Sequence, residues 1–144
     1  MLRIVAAVAL PIVISALVVL ALEGSLFSYS PVVIAVQLAA VALAVWARRS
    51  FPRGVFRVGA NPGGTALLRT GPYRWIRHPM YTAALLLVGS GVLAHLSWLA
   101  GAVGVVVAGV VVARVTFEEQ LLRAYYPDYA AYAKSTRALV PYVL

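Results

Sequence analysis

Only a few residues in this chain could carry chemistry, and they fall into two short clusters. Thr70 to Tyr81, TGPYRWIRHPMY, packs three arginine or histidine charges, two prolines and three aromatic rings into twelve residues, where a long apolar run begins. Proline suits the first turn of a helix, so Pro79 would place His78 at a helix N-terminus, where exposed N–H groups favour anions. The plainer alternative is that Arg74, Arg77 and His78 only meet lipid phosphates. The second cluster holds Glu118 and Glu119, two of the four acidic residues in the chain. Helix neighbours diverge by about 100°, so these two are not expected to share a face. Glu118 aligns with Arg114 one turn back, and Glu119 with Arg123 one turn ahead, the latter an ordinary exposed pair. Arg114 would lie at a membrane edge, where an ionisable side chain is a functional candidate; its plainer role is to stretch toward the headgroups.

Several chemistries are excluded. With no cysteine there is no disulfide, thiolate ligand or cysteine nucleophile. Two histidines without HxxxH or HExxH spacing make a metal site unexpected, and His95 reads as the polar tip of a turn. Neither a GxGxxG following a strand nor a P-loop is present. The net charge of +8 could suggest nucleic acid, but membrane proteins gather Lys and Arg on cytoplasmic segments, so no nucleic-acid partner is expected.

The elements that must position these clusters are helices in a bilayer. The chain has 144 residues, 63% hydrophobic and 11% charged, with mean hydropathy +0.94. Soluble domains carry about 25% charged residues, so a water-facing surface cannot be covered. Ile4 to Leu22 is an uncharged run long enough to cross a core of about 30 Å, and is read as a retained span rather than a signal peptide, whose apolar region is shorter. A second run opens at Pro31 and closes at Ala47. From Tyr81 to Val115 the only charge is Arg114. One helix from Thr82 to Ala113 would measure about 48 Å, too long for one crossing, and His95-Leu96-Ser97-Trp98 is its most polar point. A tight hairpin with short or tilted arms is therefore expected, with Ala100, Gly104 and Ala108 as a close-packing face.

The expected fold is thus all-α and integral to the membrane: two spans in 1–47, then a connector, hairpin and short helical tail in 48–144, forming one domain. The tail continues out of the fourth span to Tyr126, stops at Pro127, and restarts with Asp128 as cap and Tyr129, Tyr132 and Ala133 on one face. Arg3, the connector from Arg48 to Arg77 and the tail from Arg114 hold all twelve Lys and Arg residues. That asymmetry places both termini in the cytoplasm, in an inner membrane. The connector is rich in Gly and Pro, and connections of its length are often functional.

The sequence GPYRWIRHPMY, followed by an apolar hairpin and then ARVTFEEQLLRAYYPDYAAYAKSTRALVPYVL, resembles the isoprenylcysteine carboxyl methyltransferase family and its bacterial relatives. That wider group includes integral-membrane phospholipid methyltransferases. The similarity covers roughly residues 55–144 and rests on R-H-P-x-Y paired with E-E…Y-x-x-Y. It implies S-adenosyl-L-methionine held between connector, hairpin mouth and tail. The cofactor would meet Thr65, Ala66, Leu67, Leu68, Tyr73, the turn His78-Pro79-Met80-Tyr81, and Glu118. Arg114 matches the family arginine implicated with substrate, and with Tyr81 it forms the candidate catalytic pair. Ala83 stands where many relatives have Gly, and the chain has fewer spans than the eukaryotic enzymes.

The function expected is methyl transfer to a lipophilic acceptor at the cytoplasmic interface. Alternatives are a phospholipid or small-molecule N- or S-methyltransferase, a nicotinamide-dependent reductase of the membrane sterol type, and a non-catalytic membrane protein. A carboxylate acceptor needs no base, whereas an amine must lose a proton to Glu118 or Tyr81.

Overall fold

The computed structural model describes residues 2–51 and 67–139, with side chains of the first helix from Ala9 onward. Helices α1 (Leu2–Leu22), α2 (Pro31–Arg49), α3 (Pro79–His95), α4 (Trp98–Tyr125) and α5 (Tyr129–Ser135) follow in order, with a 3-10 turn at Gly71–Arg74 before α3. Among the described residues the architecture is all-helical, as expected from the sequence, with a single isolated parallel bridge joining Ile76 to Arg137. Two helices, α2 and α4, are long and apolar enough to cross a membrane; α3 and the stretch Ala9–Leu22 of α1 are apolar but shorter. Large apolar side chains such as Ile14, Val18, Leu38, Val105 and Val112 face outward, and a helix apolar all round calls for a hydrocarbon surrounding.

Each helix end has a local cause. Gly24, at φ +70, closes α1 in a Schellman arrangement, with Gly24 N–H donating to Ala21 O at 3.1 Å and Ser25 N–H to Leu20 O at 2.8 Å. Pro31 opens α2 and Arg48 and Arg49 fill its last turn, favourable at the negative end of the helix dipole. The hairpin turn is two residues long. Leu96 takes a left-handed conformation at φ 46, and the Ser97 hydroxyl accepts from Ala100 N at 3.1 Å as the N-cap of α4. The expected capping of α5 is corrected: Asp128 occupies the N-cap position but makes no side-chain cap. Its carboxylate lies 3.8 Å from Arg69 instead.

Packing runs α2 on α3, α3 on α4 and α4 on α1. The expected small-residue face is realised in part. Ala100 is fully buried, and a Cβ at Gly104 would lie 3.2 Å from Val92 Cγ2, but the α4 core also runs through Val107, Val111 and Val115. The α1–α2 loop is pinned from two sides. Gln37, buried in α2, donates from Nε2 to Leu26 O at 2.7 Å, and Gly91 of α3 sits so close that a Cβ there would stand 2.6 Å from Leu26 O.

Candidate active site

Arg114 lies about as far from the hairpin turn along α4 as Pro79 does along α3, so pairing the two arms sets it opposite the α3 entrance. The remaining turns of α4 overhang that entrance and carry both glutamates. Pro79 opens α3 with His78 at its N-cap and no side chain capping it, so the dipole end of α3 points into the cluster.

Four side chains interlock there. Arg114 Nε donates to the Tyr81 hydroxyl at 2.5 Å and to Glu118 Oε1 at 3.0 Å. The Tyr81 hydroxyl donates to the same Glu118 oxygen at 2.6 Å. Glu118 Oε2 lies 3.6 Å from His78 Nδ1. The His78 ring stacks on Tyr81, with centroids 5.8 Å apart. Arg114 and His78 are both buried, and a buried charge is retained only when it is paired and hydrogen-bonded. The paired readings of Arg114, Tyr81, His78 and Glu118 are thus brought together.

The reading of Glu119 as a partner of Arg123 holds, but its exposure is corrected. Its side chain is 14% exposed; Oε1 accepts from Arg77 Nε at 2.6 Å and lies 3.2 Å from His78 Nε2, while Arg123 approaches the other oxygen only at 3.4 Å. The divergence of neighbouring helix positions did not separate the glutamates. It sends each to a different nitrogen of one imidazole. Burial opposes charge on His78, but the two carboxylates that face its ring N–H groups, and their negative charge, outweigh it and raise the pKa above its usual value.

Arg77 and the tail form the floor of the site; the resemblance implied the tail there, but gave no role in it to Arg77 or Thr136. Arg77 Nη1 donates to Ala133 O at 3.0 Å and Thr136 O at 2.6 Å. Arg77 N and His78 N donate to the carbonyls of Arg137 (2.7 Å) and Ala138 (3.0 Å), and the Thr82 hydroxyl donates to Leu139 O. The signal available was Arg77 beside His78 and the motif that repeats tyrosines ahead of Thr136. The long-range pairing of the tail with residues 75–78 has no local pattern.

The other expected cofactor residues are placed unevenly. Tyr73 is buried, edge-on to Phe51 at 5.5 Å, and its carbonyl accepts from the Tyr132 hydroxyl at 2.7 Å. Burial first, then Tyr132 and Glu118, push its pKa above the usual phenol value, so it feels the Glu118 charge without touching it. Burial foremost also moves Tyr132 up to about 12. Pro79 is buried, while Met80, Leu67 and Leu68 are half-buried. Thr65 and Ala66 lie outside the described residues. The Tyr129 hydroxyl is buried without a hydrogen-bond partner at good geometry; burial, and then the neighbouring Glu119, raise its pKa.

Comparison with known proteins now adds a family. The profile of phospholipid methyltransferases matches residues 31–129. The chain belongs to that family. A nickel-cobalt-cadmium resistance protein, NccN, of Alcaligenes xylosoxydans xylosoxydans is 33% identical over 78 residues, 54% of this chain and 37% of that relative, so the match spans little more than a third of its length. No solved structure matches. Family and apolar helices together mark a membrane protein of the methyltransferase kind. The cluster described above fits the cofactor by its chemistry. Glu118 suits an ammonium or ribose hydroxyl, while the uncapped start of α3, with the charge of His78 at its N-cap, suits a carboxylate.

Proposed function

We propose that the protein transfers a methyl group from S-adenosyl-L-methionine to a lipophilic acceptor at the cytoplasmic face of an inner membrane, in the manner of the isoprenylcysteine carboxyl methyltransferases. The observation that carries this is the interlocked set Tyr81, Arg114, Glu118 and His78 at the mouth of an apolar hairpin. When bound, the cofactor supplies an electrophilic methyl on sulfur. The α3 N-terminus, with the positive charge of His78 beside it, would hold its carboxylate, Glu118 its amino group or a ribose hydroxyl, and the Tyr73 region the rest. Arg114 has a rigid donor fork matched to a carboxylate or phosphate, which supports its assignment to the acceptor. Catalysis of this kind is mainly positioning, in keeping with so few titratable groups.

The hydrogen bonds favour an acceptor that arrives deprotonated. Tyr81 donates to Glu118, and Glu118 already accepts from Arg114 and Tyr81, so neither stands ready to remove a proton from an amine. N-methylation of a phospholipid amine is the second reading, favoured by the family name. A lipid tail is supported by an open apolar groove of about 590 Å³ between α1 and α4, lined by Pro11, Ser15, Val103 and Val106 among others, which begins about 12 Å along α4 from Arg114. The resistance relative invites a link to metal ions. Among the described residues no three His, Cys, Asp or Glu side chains form a metal-ligating group, so the geometry lends direct ion binding no support.

We place four spans across the bilayer with both termini cytoplasmic, from the twelve Lys and Arg residues on one side. Single cysteines introduced at residues 26–29 and near His95 should react with an impermeant reagent only from outside; labelling from the cytoplasm alone overturns the topology. For the reaction, purified protein is incubated with labelled S-adenosylmethionine and prenylcysteine, phosphatidylethanolamine and thiol acceptors. Transfer to the carboxylate is expected. Transfer to the amine alone replaces the leading reading with the second, and transfer to none of the three overturns both.

A further inference from the structure

We infer that Glu119 is a positioning residue: with Arg77 it fixes the His78 ring against Glu118 and keeps that ring doubly protonated. An imidazole has two nitrogens, and here each faces a carboxylate, Nδ1 at 3.6 Å from Glu118 and Nε2 at 3.2 Å from Glu119. A neutral ring has one N–H and one lone pair, so it would turn its lone pair on one of the carboxylates. Only the imidazolium satisfies both. The ring side chain is 5% exposed, which leaves little room for water to relieve a mismatch.

Glu119 is itself held. Its Oε1 takes the 2.6 Å bond from Arg77 Nε, and Arg77 is anchored by the tail carbonyls of Ala133 and Thr136. The other groups facing His78 are Tyr81, stacked on the ring, Arg114, which acts through Glu118, and Tyr129, beside Glu119. Counting Arg77, Arg114 and His78 against Glu118 and Glu119, the cluster carries three positive charges to two negative ones. Its excess charge therefore suits an anion at the start of α3. That this anion is the cofactor carboxylate rests on the proposed methyltransferase reading; the charge of the ring does not.

The chain has only two histidines, so both imidazoles can be followed by NMR in the full chain, labelled with ¹⁵N-histidine in lipid nanodiscs and assigned with His95→Gln. Glu119→Gln preserves shape and an acceptor oxygen but removes the charge. The His78 midpoint should fall by about one pH unit or more, a tenfold loss of proton affinity, and Arg123→Gln should leave it in place. Glu119→Asp, which retracts the charge, should give a smaller fall and serves if the Gln variant does not fold. An unmoved midpoint in the Glu119 variants, or an equal shift in Arg123→Gln, overturns the assignment. Calorimetry with S-adenosylhomocysteine tests the functional half: Glu119→Gln should weaken binding about tenfold, and unchanged binding despite a lost imidazolium overturns it. If the wild-type protein binds none while His78 titrates as expected, the methyltransferase reading fails and the positioning of His78 stands.

Discussion

The two ends of the helix bundle are closed by different means. At the end holding the α1–α2 loop and the Leu96-Ser97 turn, closure is by backbone: the Gly24 stop, the Ser97 cap, and Leu26 O gripped by Gln37 and crowded by Gly91. At the other end Arg77, His78, Arg114, Glu118 and Glu119 are drawn into one ion-paired cluster. Backbone closure specifies the fold at low electrostatic cost. A partly buried charge cluster is an inefficient way to stabilise anything, since apolar side chains of equal volume often do as well or better. Among the described residues it stands at one end only, and that is the end to which the proposed chemistry is assigned.

The largest effect should follow from breaking that cluster. Arg114→Met leaves Glu118 without its arginine, and removing one partner of a buried pair costs about 3 kcal/mol or more. Unfolding in lipid nanodiscs should show that loss, and methyl transfer should disappear. Adding Glu118→Leu removes the carboxylate that has lost its arginine and leaves His78 facing Glu119. The double variant should recover most of the stability and none of the activity, because at this end the two are separable. A double variant as unstable as Arg114→Met would show that the cluster holds the fold.

The opposite end should give the opposite result. In Gly91→Ala the new Cβ would stand 2.6 Å from Leu26 O and 2.8 Å from Ser25 O, both backbone atoms that must move. Overpacking of this kind costs about 2 kcal/mol. Affinity for S-adenosylhomocysteine, per folded molecule, should match the wild type. Loss of affinity beyond the loss of folded protein would mean that the two ends are coupled.

What could be read from the sequence divides along the same line. Helix boundaries follow from Pro31, Pro79, Gly24 and the Ser97 cap, and these are local signals. Arg114 and Glu118 could be paired from helix spacing and Tyr81 joined them only through the family resemblance; the two-residue turn, which sets equal distances along two arms, is why the three meet. Glu119 was misread because helix spacing describes Cβ directions, whereas a glutamate carboxylate reaches well past its Cβ to a ring lying between two faces. Arg77, Thr136 and the pairing of residues 75–78 with the tail depend on closing a loop of about 60 residues, for which no periodicity exists.

The charged end should also be the pH-sensitive end. The His78 pKa is raised above the ordinary value near 6.5, so the folded state binds its proton more tightly than the unfolded chain. The stability this contributes is complete below about 6.5 and is lost as pH rises through the raised value. Unfolding followed from pH 6.5 upward should show a decline that is absent in His78→Gln and unchanged in His95→Gln. An equal slope in His78→Gln would assign the decline elsewhere.

The smallest effect expected at the charged end tests which arginine Glu119 leans on. Arg123 is the partner that helix spacing points to, one turn ahead on α4. Its side chain is 54% exposed and its Nη2 stands 3.4 Å from Glu119 Oε2, against 2.6 Å for Arg77 Nε, which is 11% exposed, on Oε1. An exposed pair of this kind contributes about 0.3–0.5 kcal/mol and is screened by salt, whereas the Arg77 contact is sheltered and anchored at both ends. Arg123→Gln should therefore shift unfolding by no more than about 0.5 kcal/mol, with the difference vanishing at high salt, and should leave cofactor affinity unchanged. Arg77→Gln should cost several times as much, at any salt concentration, because it leaves Glu119 beside a buried ring with its main partner gone and frees the tail carbonyls of Ala133 and Thr136. If the two substitutions cost the same, Glu119 belongs to the surface of α4, and the comparison between the two ends loses one of its five charges.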